Sequence, residues 1–250
     1  MSKLKGVFRV TDNINQNQNE VKPFSWWERL KHIFISPSIA FENIKHYPKV
    51  LFPMITILIG MIVITLPKLN MMKEFMREDT IRQYAQLGME VPSGMDTIVS
   101  VGVYAGIVGL IIGIIVTWLV KSTLINAFSG FVNGTGTFKQ ALSVITYSYL
   151  PVFLGNIIVT IISLITKQNE ILTSLAVFLP DSQAGTVLYT ILANLDIFVI
   201  WYQILAIIGI SKVYSVSKKS SSILVLGTWI VSILFSVSLV VLGSKITGLV

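Results

Sequence analysis

The sequence contains no cysteine. That excludes a disulfide framework, a thiolate metal site and a cysteine nucleophile. Histidine is nearly absent: His32 and His46 are the only two, too few for a His-rich metal site. Neither has a serine, a carboxylate pair or a second ligand at useful spacing, so no catalytic constellation, metal centre or cofactor is implied. Charge is also scarce, at 12% of residues, where an ordinary soluble domain carries about 25%. A chain this poor in charge cannot cover a water-facing surface.

Apolar residues make up 53% of the chain, and mean hydropathy is +0.76. The apolar residues fall in runs of the length that a ~30 Å hydrocarbon core demands. Five spans are expected, over about 50–66, 98–120, 142–165, 187–211 and 223–243. The runs lack barrel-type alternation, so their backbones must be satisfied as helices. The expected fold is an all-α, polytopic membrane helix bundle with five transmembrane helices. Residues 1–23 are polar and Asn/Gln-rich and read as a flexible cytoplasmic tail. Residues 24–49 read as interfacial amphipathic helices, and residues 50–250 as the transmembrane domain. No leader is visible in residues 1–49, so the first span is expected to act as an uncleaved anchor.

The formal net charge of +7 is a topology signal rather than a sign of nucleic-acid binding. Segments 1–49, 121–141 and 212–222 hold thirteen Lys/Arg, and the alternate segments hold six. The positive-inside rule places the first set, including the N-terminus, in the cytoplasm and the C-terminus outside. Anionic headgroups attract such a surface.

Ser25 with Glu28 forms a capping-box pattern opening WWERLKHIFI. Ser36-Pro37 fits an N-cap followed by proline in the first turn. Trp26, Trp27, Phe34 and Phe41 are the candidate docking residues of these helices, lying either in the membrane interface or against the span ends. Gly102, Gly106, Gly109 and Gly113 recur at intervals of four, three and four, on one helix face. Such a seam lets backbones approach closely in lipid. Packing within the chain is expected, with homo-oligomerisation as the alternative.

Asp196 is the only acidic residue inside an expected span. A carboxylate there must face the bundle interior and find a partner. Asn156 lies at matching depth, and Asn194 and Tyr104 are further candidates. The site is either a proton-coupling or ligand site, or a polar fastening between helices. Pro151 removes a backbone donor and should kink the third span. The loop GFVNGTGTFK lacks the lysine followed by Ser/Thr of a nucleotide-gripping loop. Its Asn133-Gly134-Thr135 sequon would face the cytoplasm, unused.

Three segments carry a resemblance. SPSIAFENIKHYPK leads into LFPMI, GTGTFKQALSVITYSYLP contains a YS-x-x-P element, and NLDIFVIWYQILAIIGISKVYSVSKKSS ends at a basic loop. Over residues 24–243 the chain resembles the bacterial branch of the Yip1 family of five-span membrane proteins. The Asp-Leu-Tyr-Gly-Pro type motif of eukaryotic members is absent, so the resemblance does not carry Rab binding or vesicle traffic to this chain. It implies a non-enzymatic interaction or scaffold protein of the cell membrane, most simply a bacterial plasma membrane. Some bacterial relatives associate with ABC-type exporters that protect against toxic peptides, so the implied partners are the lipid bilayer and other membrane proteins. A small transporter or channel built on Asp196 is the competing expectation.

Overall fold

The computed structural model describes residues 22–247. The expected polar tail therefore lies, up to residue 21, outside the described residues. Two short helices come first: α1 (Trp26–Ile35) and α2 (Pro37–His46). Then follow α3 (Leu51–Thr65), α4 (Leu69–Gln86), α5 (Met95–Phe128), α6 (Phe138–Ser148), α7 (Leu150–Thr166), α8 (Val187–Ala193), α9 (Ile197–Val213) and α10 (Lys218–Thr247). The fold is all-α, with 3-10 turns in several connections and one isolated bridge pairing Ser174 with Asp196.

Four helical stretches are long and apolar enough to cross a bilayer: Leu51–Gln86, Met95–Val132, Phe138–Thr166 and Lys218–Lys245. The fourth expected span differs. Instead of one run over 187–211, it consists of short α8 and the 17-residue α9. The break has a local cause. Asp196 is extended (φ −92°, ψ 143°) and accepts from the backbone N–H of Phe198 (2.8 Å) and Val199 (3.1 Å). A short acidic side chain that bonds the next turn starts a helix rather than continuing one.

The third span is interrupted as its proline requires. Thr137 and Gln140 form a capping box at the start of α6. The helix stops at Tyr149, and Pro151 sits in the first turn of α7, where a missing N–H costs nothing. The first span does not end at residue 66. A 3-10 turn, Leu66–Lys68, passes it into the polar helix α4.

The core lies where α2, α5, α6 and α9 meet. Phe41, Ile44, Trp118, Ile125, Ile145 and Ile210 are fully buried there. Gly209 of α9 lets the helices close: a Cβ at that position would collide with Val144 of α6 and Phe41 of α2. Hydrogen bonds tie α2 and its exit to the bundle. Gln140 Nε2 donates to the Lys45 carbonyl (2.7 Å) and Ser143 Oγ to the Lys49 carbonyl (3.0 Å). The Gly/Asn/Thr loop wraps Tyr214, whose hydroxyl donates to Asn126 Oδ1 (2.9 Å) and the Thr137 carbonyl (3.2 Å). Burial pushes that phenol up to about 12.

Candidate functional site

Asp196 meets none of the partners expected for it. Besides capping α9, its carboxylate accepts from the Thr173 hydroxyl. Leu175 N–H adds a bond to the Leu195 carbonyl (3.2 Å), which fastens the 167–186 loop to the break. Asn156 Nδ2 bonds its own helix at the Val152 carbonyl (2.8 Å), and Asn194 Nδ2 does the same at Thr190 (2.8 Å). Tyr104 lies on exposed α5 surface, with Lys73 Nζ 5.0 Å from its ring centroid. The expected cluster is therefore not assembled: Asp196 is satisfied by a helix start and a loop threonine.

A polar contact inside the bundle lies elsewhere. Lys121 of α5, 7% exposed, donates from Nζ to Gln203 Oε1 of α9 at 2.5 Å. The ammonium also stands 4.5 Å from the Tyr202 ring centroid. Among the described residues it has no carboxylate partner. Tyr149 meets both Trp118 and Tyr202 edge-on, so the ring beneath the cation belongs to a run of three aromatics. In sequence Lys121 falls just past an expected span end at residue 120, within the basic segment 121–141 expected on the cytoplasmic side. The α5 helix continues to Phe128 and carries the lysine inward. A cation this deep needs polar or aromatic company, and α5 and α9 are joined by supplying it.

The glycine seam lies differently from its expected place. Only Gly102 approaches another helix, where a Cβ would meet Met76 Sδ at 2.8 Å. At Gly106, Gly109 and Gly113 an added Cβ would meet nothing within 4 Å. The expectation of packing within the chain thus fails for these three, because the bundle closes around other faces of α5. Buried Ile114, Trp118 and Ile125 mark those inward faces.

The docking residues divide in the same way. Phe41 is fully buried between α6 and α9, so it cannot be a surface contact. Ala40, Phe41 and Ile44 of α2 face the bundle, which leaves that helix packed on the span ends, while Ile39 stays exposed. Helix α1 begins with the expected capping box: Ser25 N–H donates to Glu28 Oε2 (2.7 Å), and Glu28 N–H donates back to Ser25 Oγ (3.3 Å). Those bonds hold the Glu28 carboxyl below its usual range. Trp26 is half-buried, edge-on to Phe52 at 4.9 Å. Trp27 is 73% exposed, and Phe34 leans edge-on against Trp201. Arg29 faces inward, which its charge did not suggest. Among the described residues no group of three or more His, Asp or Glu is placed to hold a metal ion.

Comparison with known proteins accords with this helical architecture. The chain is 27% identical over 209 residues to the membrane protein YknW of Bacillus subtilis (strain 168), covering 82% of this chain and 87% of that one. No solved structure matches. The model of the Yip1 domain matches residues 31–240, from within α1 to near the end of α10. Since that match spans most of the sequence, this multi-pass membrane protein belongs to the Yip1 family.

Proposed function

We propose that this protein is a non-enzymatic membrane interaction protein whose α5 packs against a transmembrane helix of another membrane protein. One observation carries the proposal: Gly106, Gly109 and Gly113 form a small-residue seam that none of the described residues covers. In lipid, hydrophobicity does not hold helices together; close backbone packing does, and glycine permits it. A seam left open by its own bundle is suited to a helix from outside. An ABC-type exporter is the partner class implied by the family resemblance, and the accessory role in toxic-peptide protection follows from the same source. In this reading the N-terminus and the basic segments face the cytoplasm of a bacterial plasma membrane. The transporter reading gains no support, because the Asp196 carboxylate is committed to capping α9.

The native absence of cysteine supplies the test. Gly109→Cys should crosslink to a cysteine placed in a transmembrane helix of an ABC-type exporter from the same organism, and Gly109→Leu with Gly113→Leu should abolish co-purification at unchanged folded yield. Unchanged co-purification of the double variant would reject the seam as the interface. A crosslink between two copies of this chain would instead make the interface a homo-oligomeric one.

A further inference from the structure

Among the described residues Arg29 is a buried cation without a counter-charge. Its side chain lies on the inner face of α1, 1% exposed. Among the described residues none of its three guanidinium nitrogens makes a hydrogen bond of good geometry, although the Tyr147 hydroxyl lies close enough to interact with them. Glu28, its neighbour in sequence, is turned to the Ser25 N–H. The compensation present is the Tyr147 ring, whose centroid is 5.8 Å from the guanidinium carbon. Tyr147 alone leaves most of the five N–H donors unsatisfied. Polar groups this deep are ordinarily bonded, so the arrangement calls for an acceptor that the described residues do not supply.

The surroundings define that acceptor. Arg29 lines a cavity of about 200 Å³ with Lys49, and Phe24, Trp26, Phe52 and Tyr147 form its walls. Two cations and no carboxylate line it, which selects an anion. A guanidinium fork with an adjacent ammonium suits a phosphate oxyanion, which the fork can bind through two parallel N–H bonds. Lys49 stands just before α3 begins at Leu51, the level at which a span meets the headgroups.

Trp26 is also a wall of a second, larger space. A groove of about 550 Å³ runs past Leu30, Phe34, Ile57, Leu150, Phe153 and Ile157. Its lining comes from α1, α3 and α7 and is apolar apart from Lys31 and Thr56. A charged cavity opening beside an apolar channel has the shape of an amphiphile. We propose that this is a binding site for an anionic phospholipid, with the headgroup phosphate between Arg29 and Lys49 and an acyl chain along the groove. The proposal is independent of the α5 seam and of any protein partner.

Native mass spectrometry of the full chain in mild detergent tests it, with phosphatidylglycerol, phosphatidylcholine and inorganic phosphate as probes. Both lipids carry the phosphate, but the choline cation of phosphatidylcholine is repelled by Arg29 and Lys49, so phosphatidylglycerol should be retained about tenfold more strongly, a difference of about 1.4 kcal/mol. Arg29→Gln should remove that preference. Lys49 is solvent-exposed, so Lys49→Gln should fold normally and still weaken phosphatidylglycerol binding several-fold. Lys219→Gln, a basic residue at the start of α10, should leave binding unchanged. Equal retention of the two lipids, or equal loss in Lys49→Gln and Lys219→Gln, would overturn the proposal. Inorganic phosphate displacing the lipid at comparable concentration would put a soluble oxyanion there and overturn it as well.

Discussion

Around α2 the chain is packed like the interior of a soluble domain, whereas α4 and most of α10 have almost no interior. Ala40, Phe41 and Ile44 of α2 are fully buried, as are Val144 and Ile145 of α6 and Ala206 and Ile210 of α9. In α4 no residue is buried, and past Val225 no described residue is buried either. The two regions therefore answer to different surroundings. Where α2 caps the span ends, side chains interlock and volume matters. Along α10 the neighbours are lipid tails, which accept nearly any apolar shape.

The contrast can be broken by paired truncations. Phe41→Ala should cost about 3–5 kcal/mol, as removal of a buried aromatic does, read as a lowered melting temperature in detergent. Phe235→Ala, in exposed α10 (64% exposed), should stay within about 0.5 kcal/mol. Equal losses would mean that the two regions are held by the same forces. A medium effect sharpens the picture at the α8–α9 break. Asp196→Ala should cost about 0.5–2 kcal/mol and raise amide exchange at Phe198 and Val199, while Asp196→Asn, still a capping residue, should stay near wild type. A large loss in Asp196→Asn with folded yield intact would instead assign the carboxylate a chemical role. The smallest change is expected at the seam. Gly109→Ala meets open space and should be neutral, or stabilise the monomer by up to about 1 kcal/mol through helix propensity.

Much of the architecture was legible in sequence because bilayer thickness imposes length. Four of the five apolar runs became long helices, and the Ser25–Glu28 box and the stop near Pro151 formed as their local chemistry dictates. The break before α9 escaped because a hydropathy window averages over Asn194-Leu195-Asp196. The missed signal was an acidic residue directly ahead of an apolar run, which marks an N-cap. Lys121, Gln203 and Arg29 were unreadable for another reason. Each is polar by type and buried by tertiary contact, and no local pattern distinguishes such a residue from one at the surface. Phe41 shows the converse, an aromatic in a segment that reads as interfacial but closes the core through Gly209. The glycine seam was legible as a seam; what covers it depends on which faces of α5 the other helices occupy.

The long stretch Leu51–Gln86 has a consequence for how the molecule sits in its membrane. Its 36 residues give a helical contour of about 54 Å at 1.5 Å per residue, well beyond a hydrocarbon thickness of ~30 Å. The surplus is α4, which carries Lys73, Glu74, Arg77, Glu78, Asp79 and Arg82, with Arg77 pinned to Asp96 beside α5 at 3.4 Å. That charged collar cannot slide into hydrocarbon, and the basic residues at the opposite ends of the spans cannot either. The vertical register of the bundle is thereby clamped from both sides. A thinner or thicker bilayer must be met by tilting or by deforming the lipid, not by sinking or rising.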